Sequence, residues 1–116
     1  MIPKEHIFVE DMSNGYVNLF KSGAFYRCYE YSAMYINDLM WYKFTLAFSS
    51  ANKVVLQVWF PLKSLEDVVS LLKQNNINHR IIDSKDYTWE YMDTGTNIDI
   101  DKEKLVNIKQ KLIKFS

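Results

Sequence analysis

The sequence predicts an α/β (α+β) fold, in which a mixed β-sheet of about five strands is flanked by about three helices. Alternating apolar residues over 43–48 and 53–60 indicate a pair of strands, while apolar residues three and four positions apart over 101–114 indicate a helix. Strands and helices also interleave along the chain, which favours one sheet covered by helices over a bundle or a sandwich. A chain of 116 residues is expected to form a single domain over residues 1–116.

The first part of the chain is predicted to contain one strand and one helix. Residues 4–12 are compatible with either a short helix or a short strand. Residues 15–21 indicate a buried strand that a Ser-Gly turn ends. A helix is predicted from Ala24 to about Leu39, because apolar side chains recur there at spacings of three and four. The inward face of this helix comprises Phe25, Cys28, Tyr29, Ser32, Ile36 and Leu39.

The middle of the chain predicts a hairpin followed by a helix. Residues 43–48 and 53–60 are expected to pair as antiparallel strands, joined by a loop that is rich in serine. A helix follows, and the Ser64 hydroxyl is expected to cap its first turn. The negative charge of Asp67 in that turn is favoured by the positive end of the helix. The pair Asn75 and Asn76 is expected to end this helix, because Asn tolerates the left-handed conformation.

Two further strands and a helix complete the fold prediction. Residues 79–82 indicate a short strand, and residues 87–92 indicate another. The aromatic side chains that would share one face of the second strand are Tyr87, Trp89 and Tyr91. The final helix, over about 101–114, directs its apolar side chains inward and its lysines outward. Its inward positions are Leu105, Ile108, Leu112 and Phe115.

Positive and negative charges are balanced, with 14 basic and 14 acidic residues. No global field therefore draws the chain to a polyanion, and any nucleic-acid binding must use a local patch. The single cysteine, Cys28, excludes an internal disulfide and, with only His6 and His79 in the sequence, a four-ligand zinc site. The N-terminus does not resemble a signal peptide, and no apolar run is long enough to span a membrane. These features predict a cytoplasmic protein with no membrane partner.

Catalytic sites of the common kinds are not indicated. The three glycines are scattered, so a phosphate-binding glycine loop is excluded. Cys28 and His79 could form a nucleophile pair, but Cys28 is predicted on an apolar helix face, where a buried inert thiol is the commoner state. Glu66 and Asp67 fall in the first turn of a helix, where carboxylates ordinarily stabilise the helix end. We therefore expect neither an enzyme nor a bound cofactor or metal.

The turn formed by Ser22 and Gly23 is the most informative stretch. A strand that leads directly into a helix leaves unpaired amides at the helix start, where phosphates bind. Phe25 would lie in the first helical turn and project past the end of the sheet, as an apolar wedge beside an anion site. Proteins that bind the minor groove of DNA use this combination. In the alternative interpretation, Phe25 packs into the core.

Two segments resemble a known domain. The stretch NLFKSGAFYRCYEYSA, residues 18–33, resembles the strand–turn–helix of the N-terminal mismatch-recognition domain (domain I) of the MutS DNA mismatch-repair family. In that family an apolar strand is followed by a glycine, an acidic residue and Phe-Tyr-Glu. The stretch FPLKSLEDVVSLLKQNNINHRIID, residues 60–83, is similar to a later segment of the domain, and the hairpin between them occupies the place of corresponding strands. The resemblance covers about residues 15–90.

The resemblance implies a mixed sheet with flanking helices that contacts duplex DNA from the minor groove. Phe25 matches the family phenylalanine, which stacks on a mispaired or unpaired base, and Tyr26 matches the tyrosine. Arg27 stands in place of the glutamate that hydrogen-bonds the base, and Ala24 stands in place of the acidic residue. A guanidinium prefers phosphate or the acceptor edge of guanine, so this replacement alters the predicted mismatch preference.

Two functions therefore follow from the sequence. The first is a stand-alone DNA-binding module whose predicted contacts are Phe25, Arg27, Tyr26, Lys21, Ser22 and Gly23. The lysines of the last helix, which would add phosphate contacts, are Lys102, Lys104, Lys109, Lys111 and Lys114. The second is a protein-interaction module that uses the aromatic strand over 87–92. Balanced charge favours the second and the phenylalanine wedge favours the first, which we take as the prediction.

Overall fold

The computed structural model of the chain describes residues 2–12, 15–50, 52–83, 89–92 and 94–114, with the backbone alone for 89–92. The strands are β1 (Val17–Ser22), β2 (Phe25–Tyr29), β3 (Thr45–Phe48), β4 (Val54–Pro61), β5 (His79–Ile82) and β6 (Trp89–Met92). The α-helices are α1 (Lys4–Met12), α2 (Glu30–Met40), α3 (Leu65–Gln74) and α4 (Lys102–Lys114). A short 3₁₀ helix, Leu62–Ser64, precedes α3.

These strands form one sheet in the order β3-β4-β2-β1-β5-β6. Strands β1 and β5 run parallel, whereas the other neighbouring strands pair antiparallel. The predicted α+β fold with a mixed sheet is therefore confirmed. Within the described residues the sheet has one strand more than expected, and the helices include α1, for which the sequence left helix and strand open.

The additional strand, β2, replaces the start of the predicted helix, so the prediction of a helix from Ala24 was wrong. Ser22 pairs with Phe25 across a tight turn, and Gly23 adopts the left-handed conformation (φ 61°) that such a turn requires. Residues 25–29 are mostly aromatic and alternate in burial, which suits a strand. The helix begins only at Glu30, where the backbone changes direction through a positive φ of 53°.

The remaining elements follow the predictions with one exception. Strands β3 and β4 form the expected antiparallel hairpin. Helix α3 ends at Gln74, and Asn76 adopts the left-handed conformation expected of a helix-ending Asn (φ 55°). The predicted hydrogen-bonded cap at Ser64 was wrong, because Ser64 itself has helical backbone angles and its side chain makes no capping bond. A cap residue needs an extended backbone to direct its oxygen toward the first amides.

Helices α2, α3 and α4 cover one face of the sheet and enclose the larger hydrophobic core. The strands contribute Val17, Leu19, Tyr26, Cys28, Leu56, Val58 and Phe60 to this core. In α4, Leu105 is buried, and Ile108 and Leu112 pack against the core as predicted, whereas residue 115 lies outside the described residues. The opposite face of the sheet is covered only in part, and it is this face that carries the candidate site.

Helix α1 covers part of that second face. A smaller hydrophobic cluster lies beneath it and includes Phe20, Tyr29, Val55 and Ile82. His6 stacks on Phe20 with ring centroids 4.3 Å apart, and its Nδ1 lies 2.9 Å from the Tyr29 hydroxyl. None of the described helices covers the rest of the second face, toward the turn between β1 and β2.

Gly15 and Gly23 provide a matched pair for testing backbone strain. Both have positive φ, but an added Cβ at Gly15 would lie 2.8 Å from the Asn97 Cβ, whereas nothing lies within 4 Å at Gly23. We expect Gly15→Ala to lower the free energy of unfolding by about 2 kcal/mol and Gly23→Ala by about 1 kcal/mol. Urea unfolding of both variants measures the difference. Equal losses would mean that the contact with Asn97 relaxes at no cost.

Candidate functional site

The uncovered part of the sheet carries two exposed aromatic side chains. Phe25 on β2 is 39 % exposed and Trp59 on β4 is 45 % exposed. Arg27 pairs with Trp59, and Tyr29 pairs with Gln57, so alternate residues of the two strands present their side chains on the same face. A shallow cleft of about 160 Å³ is lined by Phe25, Arg27, Gln57 and Trp59, which we call the aromatic cleft.

The two rings of the aromatic cleft support each other. Their centroids are 4.8 Å apart and their planes meet at 77°, an edge-to-face arrangement. Such a pair contributes about 0.5–1.5 kcal/mol beyond the area it buries. The pair therefore holds Phe25 and Trp59 in one orientation while leaving aromatic surface open to a ligand.

Arg27 lies between the aromatic cleft and helix α1. It hydrogen-bonds the Tyr29 side chain, whose hydroxyl also contacts His6. Burial, with a smaller effect from the nearby Arg27 charge, lowers the pKa of His6 to about 4, and burial raises the pKa of Tyr29 to about 12. Both groups are therefore neutral at pH 7. Arg27 takes part in none of the ion pairs found among the described residues, so its positive charge has no carboxylate partner there.

Gln57 adds an acceptor beside the Arg27 donors. Its Nε2 donates to the Thr45 hydroxyl at 3.3 Å, while its Oε1 is buried and makes no hydrogen bond. An unsatisfied buried acceptor costs about 1–3 kcal/mol. A ligand donor would recover this energy only after the amide rotates, because Oε1 has almost no accessible surface. On the other side of the Arg27–Gln57 pair lies a second cleft of about 330 Å³. It is lined in addition by Ile2, Ala47, Phe48, Ser49 and Asn52.

The other residues predicted to contact DNA lie elsewhere. Tyr26 is buried on the helix-covered face, where it stacks on Phe60. Lys21 follows Phe20, whose side chain faces α1, so the Lys21 side chain points to the helix-covered face. Its Nζ lies 3.8 Å from an Asp83 carboxylate oxygen. The predicted lysines of α4 belong to the helical layer across the sheet from Phe25. The prediction that all of them point outward was wrong for Lys109, whose largely buried side chain pairs with Glu30.

Ser22 and Gly23 do not form a helix start. They belong to the tight turn between β1 and β2, so the helix amides that were expected to bind phosphate at this point are absent. Of the predicted contacts, the structure therefore brings together Phe25 and Arg27 on the open face. It adds Trp59 and Gln57, which were not among the predicted contacts although the alternation over 53–60 places both of them opposite the apolar positions.

The aromatic strand of the alternative prediction is described only in its backbone. β6 lies at the end of the sheet, as expected for an edge surface, while Tyr87 and the side chains of residues 89–92 lie outside the described residues.

Cys28 is a buried thiol that donates to the Val58 carbonyl at 3.5 Å. Burial raises the pKa of Cys28 well above its usual value, so this thiol is not a ready nucleophile.

No group of His, Cys, Asp and Glu side chains in the described part of the chain is arranged to hold a metal ion. None of the described helices combines the length and apolar character that crossing a bilayer requires. In comparisons with known proteins, no family model matches the chain and no curated protein is similar to it.

Proposed function

We propose that the chain is a stand-alone, non-catalytic DNA-binding module that holds an unpaired or mispaired base of a distorted duplex in the aromatic cleft, approached from the minor groove. The observation that carries the proposal is the exposed Phe25–Trp59 pair beside the Arg27 guanidinium. Stacking of one base on an aromatic side chain contributes about 1–3 kcal/mol. A base held inside a matched helix cannot reach such a surface without leaving its stack.

Arg27 and Gln57 supply complementary polar contacts in this proposal. Arg27 donates to a phosphate or to the acceptor edge of a guanine. Gln57 Oε1 is buried and without a hydrogen-bond partner among the described residues. Rotation of the Gln57 amide toward the cleft would let this oxygen accept an N–H from the edge of the base, which no longer has a pairing partner. In the family that the sequence resembles, a glutamate two residues after the phenylalanine accepts this hydrogen bond. Here Gln57, on the strand next to β2, would provide the acceptor that Arg27 cannot.

The charge distribution predicts modest affinity. Arg27 is the cation of the aromatic cleft, and the lysines of α4 lie across the sheet. Each neutralised phosphate adds about 0.9 to the slope of log affinity against log salt. We therefore expect a slope of about 1 to 2 and binding that is best measured at low salt. A reducing cytoplasm is the proposed setting, which the buried thiol of Cys28 fits.

The test compares a duplex that contains one extrahelical base with a matched duplex, by fluorescence anisotropy at low salt. We expect tighter binding to the first duplex, and we expect Phe25→Ala and Trp59→Ala each to weaken that binding about tenfold, as loss of one stacking contact implies. Trp41→Ala is the matched control, because Trp41 is 88 % exposed at the end of α2, away from the cleft. Thermal melting of each variant separates loss of binding from loss of fold.

Two outcomes would overturn the proposal. One is equal affinity for the two duplexes. The other is that Phe25→Ala and Trp59→Ala bind as tightly as Trp41→Ala. In either case the aromatic cleft does not hold a base.

One observation favours a second function, docking of a protein partner. Apart from Arg27, the cations predicted to hold DNA are either paired, as Lys21 is with Asp83, or lie in the helical layer. Trp and Arg, which Trp59 and Arg27 supply here, are also residue types that anchor protein interfaces. Binding with a flat salt response would favour this second function, because it would involve no phosphate neutralisation.

A further inference from the structure

The helical layer contains a cavity of about 460 Å³ on the side of the sheet opposite the aromatic cleft. It lies between α2, the segment 94–101 and the start of α4. Its floor is apolar, formed by Met34, Ile77 and Ile98, each of which is at least 92 % buried as part of the larger core. Cavities of about 300–1,000 Å³ with an apolar lining and a few converging polar groups are typical of small-molecule sites.

Two tyrosine rings form one wall of this cavity. Tyr31 and Tyr35 are four residues apart on α2, so they lie one above the other on the same helix face. Burial raises the pKa of both hydroxyls, with a smaller effect from nearby carboxylates, which include Asp38 for Tyr35. The rings are therefore uncharged at neutral pH. Neutral tyrosine rings attract cations through their faces.

The charged groups that line the cavity are mainly acidic. They are Asp38, Asp99 and Asp101, opposed by the single ammonium group of Lys104. The Lys104 Nζ lies 3.8 Å from an Asp38 oxygen, and Asp101 accepts a hydrogen bond from the Lys104 backbone amide at 3.0 Å. All four charged groups are exposed to solvent. Three carboxylates against one ammonium leave a net charge of about −2 beside the cavity, which complements a positively charged ligand.

We propose that this cavity binds a small organic cation. The ammonium head lies between the Tyr31 and Tyr35 rings and the carboxylates, and the apolar part of the ligand packs on Met34 and Ile98. A metal ion is the poorer occupant, because no cluster of ligating side chains is found among the described residues and the floor of the cavity is apolar. The site is separate from the aromatic cleft, so the proposal does not depend on DNA binding.

The test titrates the protein with benzyltrimethylammonium and, as neutral and anionic analogues, with benzyl alcohol and benzoate, by isothermal titration calorimetry and NMR. We expect saturable binding of the cation alone, with chemical-shift changes confined to residues of the cavity. Asp99→Asn is expected to weaken binding at least threefold, and Lys104→Gln is expected to tighten it, because it removes the competing positive charge. The control is Asp67→Asn, which removes an exposed carboxylate on α3 and should leave the affinity for the cation unchanged.

A second pair of variants tests the role of the ring. Tyr35→Phe keeps the aromatic face and should bind the cation as the unmodified chain does, whereas Tyr35→Leu should weaken binding at least fivefold. Far-UV circular dichroism and thermal melting verify that each variant is folded. Absence of saturable binding, equal binding of benzyl alcohol, or insensitivity to both Asp99→Asn and Lys104→Gln would overturn the proposal.

Discussion

Replacing Lys109 with methionine is expected to lower the free energy of unfolding by about 3–5 kcal/mol. The Lys109 Nζ lies 2.8 Å from Glu30 Oε2 and 3.0 Å from the Val54 carbonyl oxygen. Both charged side chains are largely buried, at 16 % and 12 % exposure. Methionine keeps most of the volume but leaves the Glu30 carboxylate buried without its counter-charge, which is the costly part of breaking such a pair.

Glu30 has a structural role that makes its charge costly to abandon. Strand β2 ends at Tyr29, which pairs with Gln57, and the chain then turns away into α2. Glu30 Oε1 accepts from the backbone amide of Leu56 at 2.8 Å, so a side chain occupies the place where the next β2 carbonyl would have paired. The same carboxylate thus joins the end of β2, strand β4 and helix α4.

Urea unfolding at pH 7 measures the effect of Lys109→Met. Lys111→Met is the matched control, because Lys111 is an exposed lysine on the same helix, and it should change the stability by less than about 0.5 kcal/mol. The double variant Glu30→Gln/Lys109→Met should recover part of the loss, since no charge is then left buried. A loss below about 1 kcal/mol for Lys109→Met would show that the pair behaves as a solvated surface pair.

The elements that could be predicted from the sequence are those whose apolar residues recur with a single spacing, either that of a strand or that of a helix. Strand β4 has apolar residues at every second position from Val54 to Phe60, and α3 has a stripe of apolar residues on one face, so both were placed correctly. Residues 25–29 fit two periods at once. Phe25, Cys28 and Tyr29 are spaced as on a helix, while Tyr26 and Cys28 also alternate with Phe25, Arg27 and Tyr29 as on a strand. Pairing with β1 and β4 on both sides decides the outcome, and no local pattern reports that pairing.

For the same reason, only two of the four side chains that line the candidate site were predicted. Phe25 and Arg27 were selected from the stretch that carries the family resemblance. Trp59 and Gln57 join them because β2 is inserted between β1 and β4, a neighbour relationship that depends on strand order rather than on sequence distance. The lysines of the last helix were also expected to contact DNA. They do not lie near Phe25, because α4 packs on the other face of the sheet.

Glu10 is a buried carboxylate that the sequence pattern over 4–12 did not single out. Its Oε2 accepts from the Asn18 side chain at 2.8 Å, and its two oxygens each lie 2.9 Å from the Ser32 hydroxyl. Burial raises the pKa of Glu10 from 4.5 to about 7, because the loss of water outweighs these hydrogen bonds. The group thus connects α1 to β1 and α2. Its hydrogen bonds favour the carboxylate, but burial favours the neutral acid more strongly, so the fold is most stable when the carboxyl is protonated.

The sign of the pH effect follows from the direction of this change. Because the folded pKa of Glu10 lies above the unfolded value, its favourable contribution is complete below pH 4.5 and is lost as the pH rises to about 7. His6 acts in the opposite direction. Its pKa falls from 6.5 to about 4 on burial, so its contribution is present above pH 6.5 and is lost as the pH falls toward 4. The two effects largely cancel between pH 4.5 and 6.5 in the unmodified chain.

Glu10→Gln is expected to separate the two groups. Gln resembles the protonated acid in shape and hydrogen bonding but cannot ionise, so the variant should exceed the unmodified chain in stability by up to about 3 kcal/mol at pH 8 and by nothing at pH 4.5. Urea unfolding of both chains at pH 4.5, 6 and 8 measures this difference in stability. His6 contributes equally to the two chains, so its effect cancels in the difference. Asp11→Asn, an exposed neighbour on α1, should show a difference that does not change with pH. If Glu10→Gln behaves as Asp11→Asn does, water reaches the Glu10 carboxylate and α1 is held by its apolar contacts alone.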